Sequence, residues 1–244
     1  MTRQTAKKSA RSSLGDKSLQ RQFSVRRKGV RDPEATRAGI LNAAIQEFSR
    51  EGYGGARVEK IARRANSNAR SLYYHHGSKE GLYVAALEHL YEKQMLAEQA
   101  LDLGKLDPRA ALKTLISFTW QYYQDNPEWL SLLNTENLYK AAHLRKSSRV
   151  KAIASPKMRL LEELLVRGTQ ANVFRRDVTA DYLFLTFSSL CYLYLSNRYT
   201  LSNYLAQDLD NPKTKESWLA HVTQVVMDYV LVRGSEDVRA ARSK

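Results

Sequence analysis

Residues 66–82 read NSNARSLYYHHGSKEGL, and this segment decides how the whole chain is interpreted. It contains few apolar residues, yet it lies between two stretches with helical apolar spacing, the second of which begins at about Ser78. Asn66 is suited to a left-handed turn conformation, and Asn68 is suited to capping a new helix. The segment therefore predicts a tight turn followed by a short helix over residues 69–75.

Helical spacing divides the side chains of this short helix between two faces. One face carries Leu72, His75 and His76 and is able to meet the preceding helix. The opposite face carries large side chains with polar tips, namely Arg70, Tyr73 and Tyr74. Two short helices joined by a three-residue turn predict a helix-turn-helix, whose second helix fits the DNA major groove. The alternative is a surface corner of two helices with incidental tyrosines.

The rest of the chain also has helical patterns, with no convincing strand pattern and no internal repeat. Capping residues followed by proline predict three helix starts, at Asp32-Pro33, Asp107-Pro108 and Ser155-Pro156. Apolar periodicity predicts long helices over residues 78–103, 179–199 and 213–233. The sequence therefore predicts an all-α fold of about nine helices.

Positive charge is concentrated at the start of the chain. The 244 residues carry a formal net charge of +14, and residues 1–31 contain ten basic residues against Asp16 alone. Such a balance indicates a polyanionic partner, either nucleic acid or an acidic membrane surface. Residues 1–31 lack apolar periodicity and are predicted to be a disordered basic arm, and residues 234–244 a disordered tail. The arm either tracks DNA phosphates or enters the minor groove, or it serves only as a solubilising tail.

Residues 33–82 resemble the DNA-binding domain of the TetR family of bacterial transcriptional regulators. The resemblance rests on Phe48, the break at Gly52-Tyr53, and above all the run from Leu72 to Leu82. It implies phosphate contacts from Tyr73, Tyr74 and Lys79, and positions near base edges for Ala69, Arg70 and Ser71. Asn68 at the helix start and Arg57 at the start of the preceding helix complete the expected DNA-binding set.

The same resemblance implies two domains and a ligand-responsive repressor. Residues 32–78 would form the helix-turn-helix domain, and residues 79–233 a ligand-binding and dimerisation domain. The family binds palindromic operators as homodimers, here through the last two long helices, one of which carries Val222, Val226 and Val230 on an apolar face. A small-molecule effector would then release the DNA.

Candidate effector contacts come from an aromatic-rich region of the second domain: Trp120, Tyr123, Trp129, Asn137 and Phe187. Aromatic and polar-tipped residues of this kind line binding pockets, although an ordinary hydrophobic core is the alternative. Basic residues nearby (Lys140, Arg145 and Lys146) weakly favour an anionic effector, although solvated surface charge is the preferred interpretation of these residues.

Two other functional classes, an enzyme and an architectural DNA-binding protein, fit this sequence less well. No nucleophile elbow, zinc-ligand spacing or Walker loop is present, so we expect no enzyme activity and no cofactor. The adjacent His75 and His76 do not converge on one ion, so no metal site is expected. An architectural DNA-binding protein is the second alternative, but it does not require the large aromatic domain.

The single cysteine, Cys191, excludes an intramolecular disulfide and favours a reducing compartment. The apolar run 182–195 is too short to cross a membrane, which needs about 20 residues. We therefore expect a cytoplasmic protein without a membrane partner.

Overall fold

A computed structural model describes residues 32–232, except for the side chains of residues 154 and 155. The predicted arm (1–31) and tail (234–244) lie outside the described residues. The described part is all-α, as predicted, with nine α-helices and two short 3-10 helices at Leu103–Lys105 and Leu144–Lys146. The α-helices are α1 (Pro33–Gly55), α2 (Val58–Arg64), α3 (Ala69–His76), α4 (Lys79–Gln99), α5 (Pro108–Asp125), α6 (Pro127–Leu138), α7 (Ser148–Gln170), α8 (Ala180–Leu205) and α9 (Pro212–Val230).

Local capping chemistry determines where several helices begin. The Asp32 carboxylate accepts a hydrogen bond from the Glu34 backbone N–H at 2.9 Å, and that of Asp107 accepts from Arg109 and Ala110. Ser78 and Thr179 cap α4 and α8 in the same way. These bonds satisfy backbone donors that have no partner within the helix.

Helices α1, α2 and α3 share a small core with the first half of α4. Phe48, Ile61, Leu72 and Leu82 are all fully buried there. Helix α1 changes direction at Gly52, whose φ of 65° lies in the left-handed region that glycine adopts without strain. In the remainder of the chain α5 packs against α7, α8 and α9, while α4 contacts both α1 and α7.

Four predicted helix bounds were wrong, and the smallest error is at α9, which ends at Val230 instead of 233. The helix that begins after Ser78 ends at Gln99 instead of 103, because Asp102 adopts a left-handed conformation (φ 47°). Helix α8 continues to Leu205, six residues beyond its predicted end. The predicted start at Ser155-Pro156 lies inside α7, which begins at Ser148 because the Ser147 hydroxyl accepts from the Val150 N–H.

The connection from α7 to α8 folds back onto the end of α9. The Gly168 carbonyl accepts hydrogen bonds from the backbone N–H groups of Val173 and Phe174, which turns the chain sharply. Phe174 then pairs with Leu231 in an isolated bridge, and its ring is buried against the backbone of Gly168. A β-carbon at position 168 would overlap that ring.

We predict that Gly168→Ala destabilises the protein by at least 2 kcal/mol, because the added methyl group forces the buried ring of Phe174 to move. Gly39→Ala is the matched control, since Gly39 is also helical and a β-carbon there meets nothing within 4 Å. The control should stabilise the protein by about 0.5–1 kcal/mol through helix propensity. Urea unfolding of both variants measures the difference; equal effects would show that the close approach at Gly168 is unimportant.

Candidate nucleic-acid interface and effector cavity

Helix α3 is held in place by a tight turn and an N-terminal cap. The Ser67 N–H donates to the Ala62 carbonyl at 2.8 Å, and Asn66 adopts the expected left-handed conformation with φ 48°. The Asn68 side chain accepts a hydrogen bond from the Ser71 N–H at 2.8 Å. The turn and the cap together fix the direction of α3 relative to α2.

The two faces of α3 differ sharply in exposure. Leu72 is fully buried, whereas Tyr73 is 46% exposed and Tyr74 is 84% exposed. Arg70 is exposed beside them, and Ala69 and Ser71 are half-buried at the start of the helix. Large exposed tyrosines beside an arginine form a surface with donors for phosphate and base edges.

Two further predicted contacts lie at the edges of this surface. Arg57 is exposed at the N-cap of α2. The Lys79 ammonium lies 3.5 Å from the Gly54 carbonyl and 4.9 Å from the centre of the Tyr53 ring. Burial lowers the pKa of Lys79. Lys79 therefore begins α4 while it also contacts the end of α1.

A buried acid that sequence reasoning missed joins α1 to α2. The Glu47 side chain is fully buried, with Arg50 at 3.2 Å, Arg64 at 3.7 Å and Lys60 at 3.8 Å. A buried carboxylate is tolerated only when cations compensate its charge. In the sequence, Lys60 and Arg64 are one helical turn apart, which predicts that they share a face of α2. This spacing does not show that Glu47 of α1 is the acid that they contact.

A second buried acid, Glu136, connects the helix-turn-helix to the rest of the chain. Its carboxylate accepts hydrogen bonds from the backbone N–H groups of His143 and Leu144 at 2.8 and 3.1 Å, and it contacts the His143 ring at 3.0 Å. That ring packs against Tyr53 of α1 at 4.4 Å and Tyr83 of α4 at 4.8 Å, measured between ring centres. Glu136 thus positions a loop against the first and fourth helices.

Helix α7 and the loop before it contact α4 through a row of polar pairs. They are Lys146–Glu80, Ser147–Glu88 at 2.6 Å, Arg149–Glu92 at 2.8 Å and Lys157–Glu98 at 2.8 Å. Among the three ion pairs, the side chains of Lys146–Glu80 and Arg149–Glu92 are 37–59% exposed, whereas those of Lys157 and Glu98 are only 17% and 6% exposed. The Lys157–Glu98 pair is therefore the ion pair most protected from solvent.

A cavity of about 500 Å³ lies between α4 and α7, next to that protected pair. Side chains from α4 to α8 line it: Tyr91, Gln94, Met95, Glu98, Gln99, Tyr123, Trp129, Leu133, Ile153, Pro156, Lys157, Met158, Arg159, Leu160, Glu163 and Phe184. The lining is mainly aromatic and aliphatic. Its size and lining are typical of a small-molecule site.

The structure brings only two of the five predicted effector contacts to this cavity, Tyr123 and Trp129. Trp120 is buried against Tyr194 instead, with ring centres 5.3 Å apart. Phe187 is fully buried in the core, and Phe184, one turn earlier on α8, lines the cavity. Asn137 is exposed near the end of α6 and does not line the cavity.

The basic residues that favoured an anionic effector are also placed elsewhere. Lys146 pairs with Glu80, and the Arg145 guanidinium donates to the Lys140 carbonyl at 2.6 Å. None of the three lines the cavity. They therefore supply no charge to a bound molecule there.

Helix α8 presents an apolar stripe to solvent. Tyr182, Leu185 and Leu193 are 66%, 57% and 53% exposed. By contrast, the apolar face of α9 predicted at the dimer interface is directed into the chain's own core, with Val222, Val226 and Val230 all fully buried. The exposed apolar surface is therefore on α8.

Two other kinds of feature are absent from residues 32–232. No cluster of three or more His, Cys, Asp or Glu side chains suited to a metal ion occurs in this range. None of the helices described here is both long enough and apolar enough to cross a membrane.

Comparisons with known proteins identify the family. Residues 40–86 match the family described as "Bacterial regulatory proteins, tetR family", and residues 108–226 match "Tetracyclin repressor-like, C-terminal domain". The chain is 41% identical to the HTH-type transcriptional repressor NicS of Pseudomonas putida over 204 residues, 83% of this chain and 96% of the relative. The chain belongs to the TetR family of transcriptional regulators.

Other relatives agree with this assignment. The HTH-type transcriptional regulator RutR of Escherichia coli K12 is 30% identical over 148 residues, 60% of this chain and 69% of RutR. A TetR family regulator from Marinobacter aquaeolei has the same fold, with a TM-score of 0.64 at 18% identity, covering 82% of this chain and 97% of that one. The resemblance seen in residues 33–82 is thus confirmed, and the chain is a DNA-binding transcriptional regulator.

We predict that Asn68→Ala lowers the free energy of unfolding by about 1 kcal/mol, because α3 loses its N-cap hydrogen bond. Asn68→Asp should restore most of that loss, since a carboxylate is an equally good cap. Asn137→Ala is the control for an exposed asparagine and should change stability by less than about 0.5 kcal/mol. Guanidinium unfolding monitored by circular dichroism checks the three variants; an unchanged Asn68→Ala protein would contradict the capping role.

Proposed function

We propose that this protein is a repressor that binds a palindromic operator as a homodimer and is released by a small molecule. The observation that carries the proposal is the exposed Arg70, Tyr73 and Tyr74 surface on a helix that is fixed by a turn and a cap. The curated relative NicS, a transcriptional repressor, supports repression over activation.

Residues 32–78 would bind DNA, with roles divided between phosphates and bases. Tyr73, Tyr74, Lys79 and Arg57 would contact phosphates, since hydroxyl and cationic donors on the rim of a reading helix fix its register. Arg70 would read a base edge, because a guanidinium binds guanine through two hydrogen bonds. Ala69 and Ser71 would lie close to the same base pairs, and Asn68 would act mainly as the cap.

Residues 79–232 would hold the effector and form the dimer. The dimer would use α8 and α9, with the exposed stripe of Tyr182, Leu185 and Leu193 in its centre. Exposed apolar stripes of this kind on a surface helix mark protein interfaces. A two-fold axis through this surface would place the two α3 helices on one side of the dimer, as a palindrome requires.

The position of the cavity would allow a bound effector to release the protein from its operator. The cavity lies between α4 and α7, and α4 begins three residues after α3 ends. An effector that separates α4 from α7 would change the distance between the two α3 helices of the dimer. Such a ligand acts only if it binds the DNA-incompetent state more tightly than the competent one.

We predict that Arg70→Ala relaxes the base preference at one position in each half-site and costs roughly 1–3 kcal/mol in specific binding. The two half-sites should lie about one helical turn apart, roughly 34–36 Å or a little more. Selection from random duplexes followed by titration gives both results. The control is Arg176→Ala, an exposed arginine between α7 and α8, which should leave the selected sequence unchanged.

A selected sequence that is identical for Arg70→Ala and the wild type would refute the reading role of Arg70. Lys79→Ala should instead weaken binding to all sequences about equally and make affinity less dependent on salt. If binding shows no base preference at all, the architectural alternative is correct.

We predict that Leu193→Glu yields monomers, because it places a carboxylate in the centre of the proposed interface. Leu96→Glu is the matched control, since Leu96 on α4 is similarly exposed at 56% but lies outside the α8 stripe. Light scattering at micromolar concentration measures both masses. A wild-type monomer, or a Leu193→Glu dimer, would contradict the interface.

A further inference from the structure

Two neutral hydrogen-bond donors lie together in the cavity wall. The indole N–H of Trp129 is buried and has no hydrogen-bond partner among the residues that the structure describes. Burial raises the pKa of Tyr123, so its hydroxyl remains protonated at neutral pH and is able to donate. The indole N–H lies near the Tyr123 hydroxyl and acts on its pKa as a weak donor would, lowering it, but the pair falls outside hydrogen-bond geometry.

An unpaired buried N–H costs free energy unless something accepts its hydrogen bond. Trp129 is 4% exposed and Tyr123 6% exposed, so bulk water does not reach either side chain freely. Both also line the cavity. A bound molecule with an acceptor atom between them would therefore satisfy the donor that the folded protein leaves unpaired.

The charged groups that line the cavity determine whether it accommodates an ionised acceptor or a neutral one. They are two acids and two bases, namely Glu98, Lys157, Glu163 and Arg159. Lys157 is already paired with Glu98 at 2.8 Å in the least exposed part of the lining. Glu163 and Arg159 are exposed on α7, one helical turn apart. The buried wall thus holds no cation that is free to compensate an anion.

Without such a cation, burying a carboxylate against two neutral donors is much less favourable than burying a carbonyl group. The rest of the lining suits a flat body, since Tyr91 and Trp129 pack edge to face with centres 4.7 Å apart and the Phe184 ring also lines the cavity. A cavity of about 500 Å³ admits a molecule of two fused rings.

We propose that the effector is an uncharged, flat molecule whose carbonyl-type oxygen accepts hydrogen bonds from Trp129 and Tyr123. This inference rests on the proposed ligand-responsive function and adds the chemical class of the ligand. It replaces the weak preference for an anion, whose basic residues lie outside the cavity.

The test uses three probes that share a fused two-ring body and differ in charge: 2-naphthamide, 2-naphthoate and 2-naphthylmethylamine. Binding to the full-length protein is measured by calorimetry and thermal shift. We expect the amide to bind at least tenfold more tightly than the carboxylate or the amine. Tyr123→Phe should weaken amide binding about fivefold, the size of one neutral hydrogen bond, and Trp129→Phe should weaken it at least as much.

Tyr122→Phe is the matched control. Tyr122 is the adjacent tyrosine on α5 and is equally buried, but it does not line the cavity. Removal of the Tyr122 hydroxyl should leave the affinity for 2-naphthamide unchanged. Operator affinity is also measured for each variant in the absence of probe, because a loss of affinity would reveal a folding defect in Trp129→Phe. In that case the milder variant Tyr123→Phe tests whether the two donors bind the probe.

Three results would overturn the proposal: tighter binding of 2-naphthoate than of the amide, an unchanged affinity in Tyr123→Phe, or no binding of any probe. Operator release is measured separately by fluorescence anisotropy. Release by the carboxylate alone would refute the ligand class and leave the proposed function intact. Binding of the amide with the expected variant effects but without operator release would support the ligand class and refute induction through this cavity.

Discussion

Helix α4 belongs to both candidate sites, and this shared element is the constraint on which the rest of the architecture depends. Its cap, Ser78, comes two residues after α3 ends, and its last turns line the cavity through Gln94 and Glu98. A helix of 21 residues spans about 30 Å and bends only gently unless something interrupts it. A displacement at the cavity end of α4 is therefore carried toward α3 unless neighbouring contacts absorb it.

Two buried contacts restrain α4, one near each end. Near the start, Tyr83 is packed against the His143 ring, which Glu136 fixes through its buried carboxylate. Near the other end, Glu98 pairs with Lys157. The more exposed ion pairs on α4, Lys146–Glu80 and Arg149–Glu92, contribute little, since solvent-exposed ion pairs are worth about 0–1 kcal/mol each. Two buried acids thus restrain α4 in addition to its apolar core, one beside the helix-turn-helix and one beside the cavity.

The sequence correctly predicted features that depend on interactions between neighbouring residues. It did not predict features that are determined by contacts between residues distant in sequence. Caps at Asp32, Asn68 and Asp107 were recognisable because the capping side chain and its backbone partner are two or three residues apart. Ser155-Pro156 has the same appearance, but Ser147 had already capped α7 and the proline is accommodated within the helix. Element type was therefore predicted well, and some helix ends were not.

The candidate effector site shows the same limit more clearly. Helical spacing groups residues on one face but does not identify the element which that face meets. Phe184 and Phe187 are one turn apart on α8, yet only Phe184 reaches the cavity. Trp129 was recognisable as an aromatic candidate, but its unpaired N–H, a feature of the folded environment of residues 32–232, was not. Likewise, the exposed stripe on α8 and the buried face of α9 have similar apolar composition, and only packing distinguishes them.

The protected Lys157–Glu98 pair also limits how an effector is able to act. A ligand that broke this pair would leave a buried charge without its partner, which costs roughly 3–5 kcal/mol and would consume most of the binding free energy. Allosteric coupling needs only about 1–3 kcal/mol of difference in ligand affinity between the two states, enough for a 5- to 150-fold change in operator binding. A molecule that leaves the pair intact and occupies the space between α4 and α7 would supply that difference by steric displacement, under the proposed function. Such displacement requires volume and a well-fitting shape but no charge, which agrees with an uncharged effector held by two neutral donors.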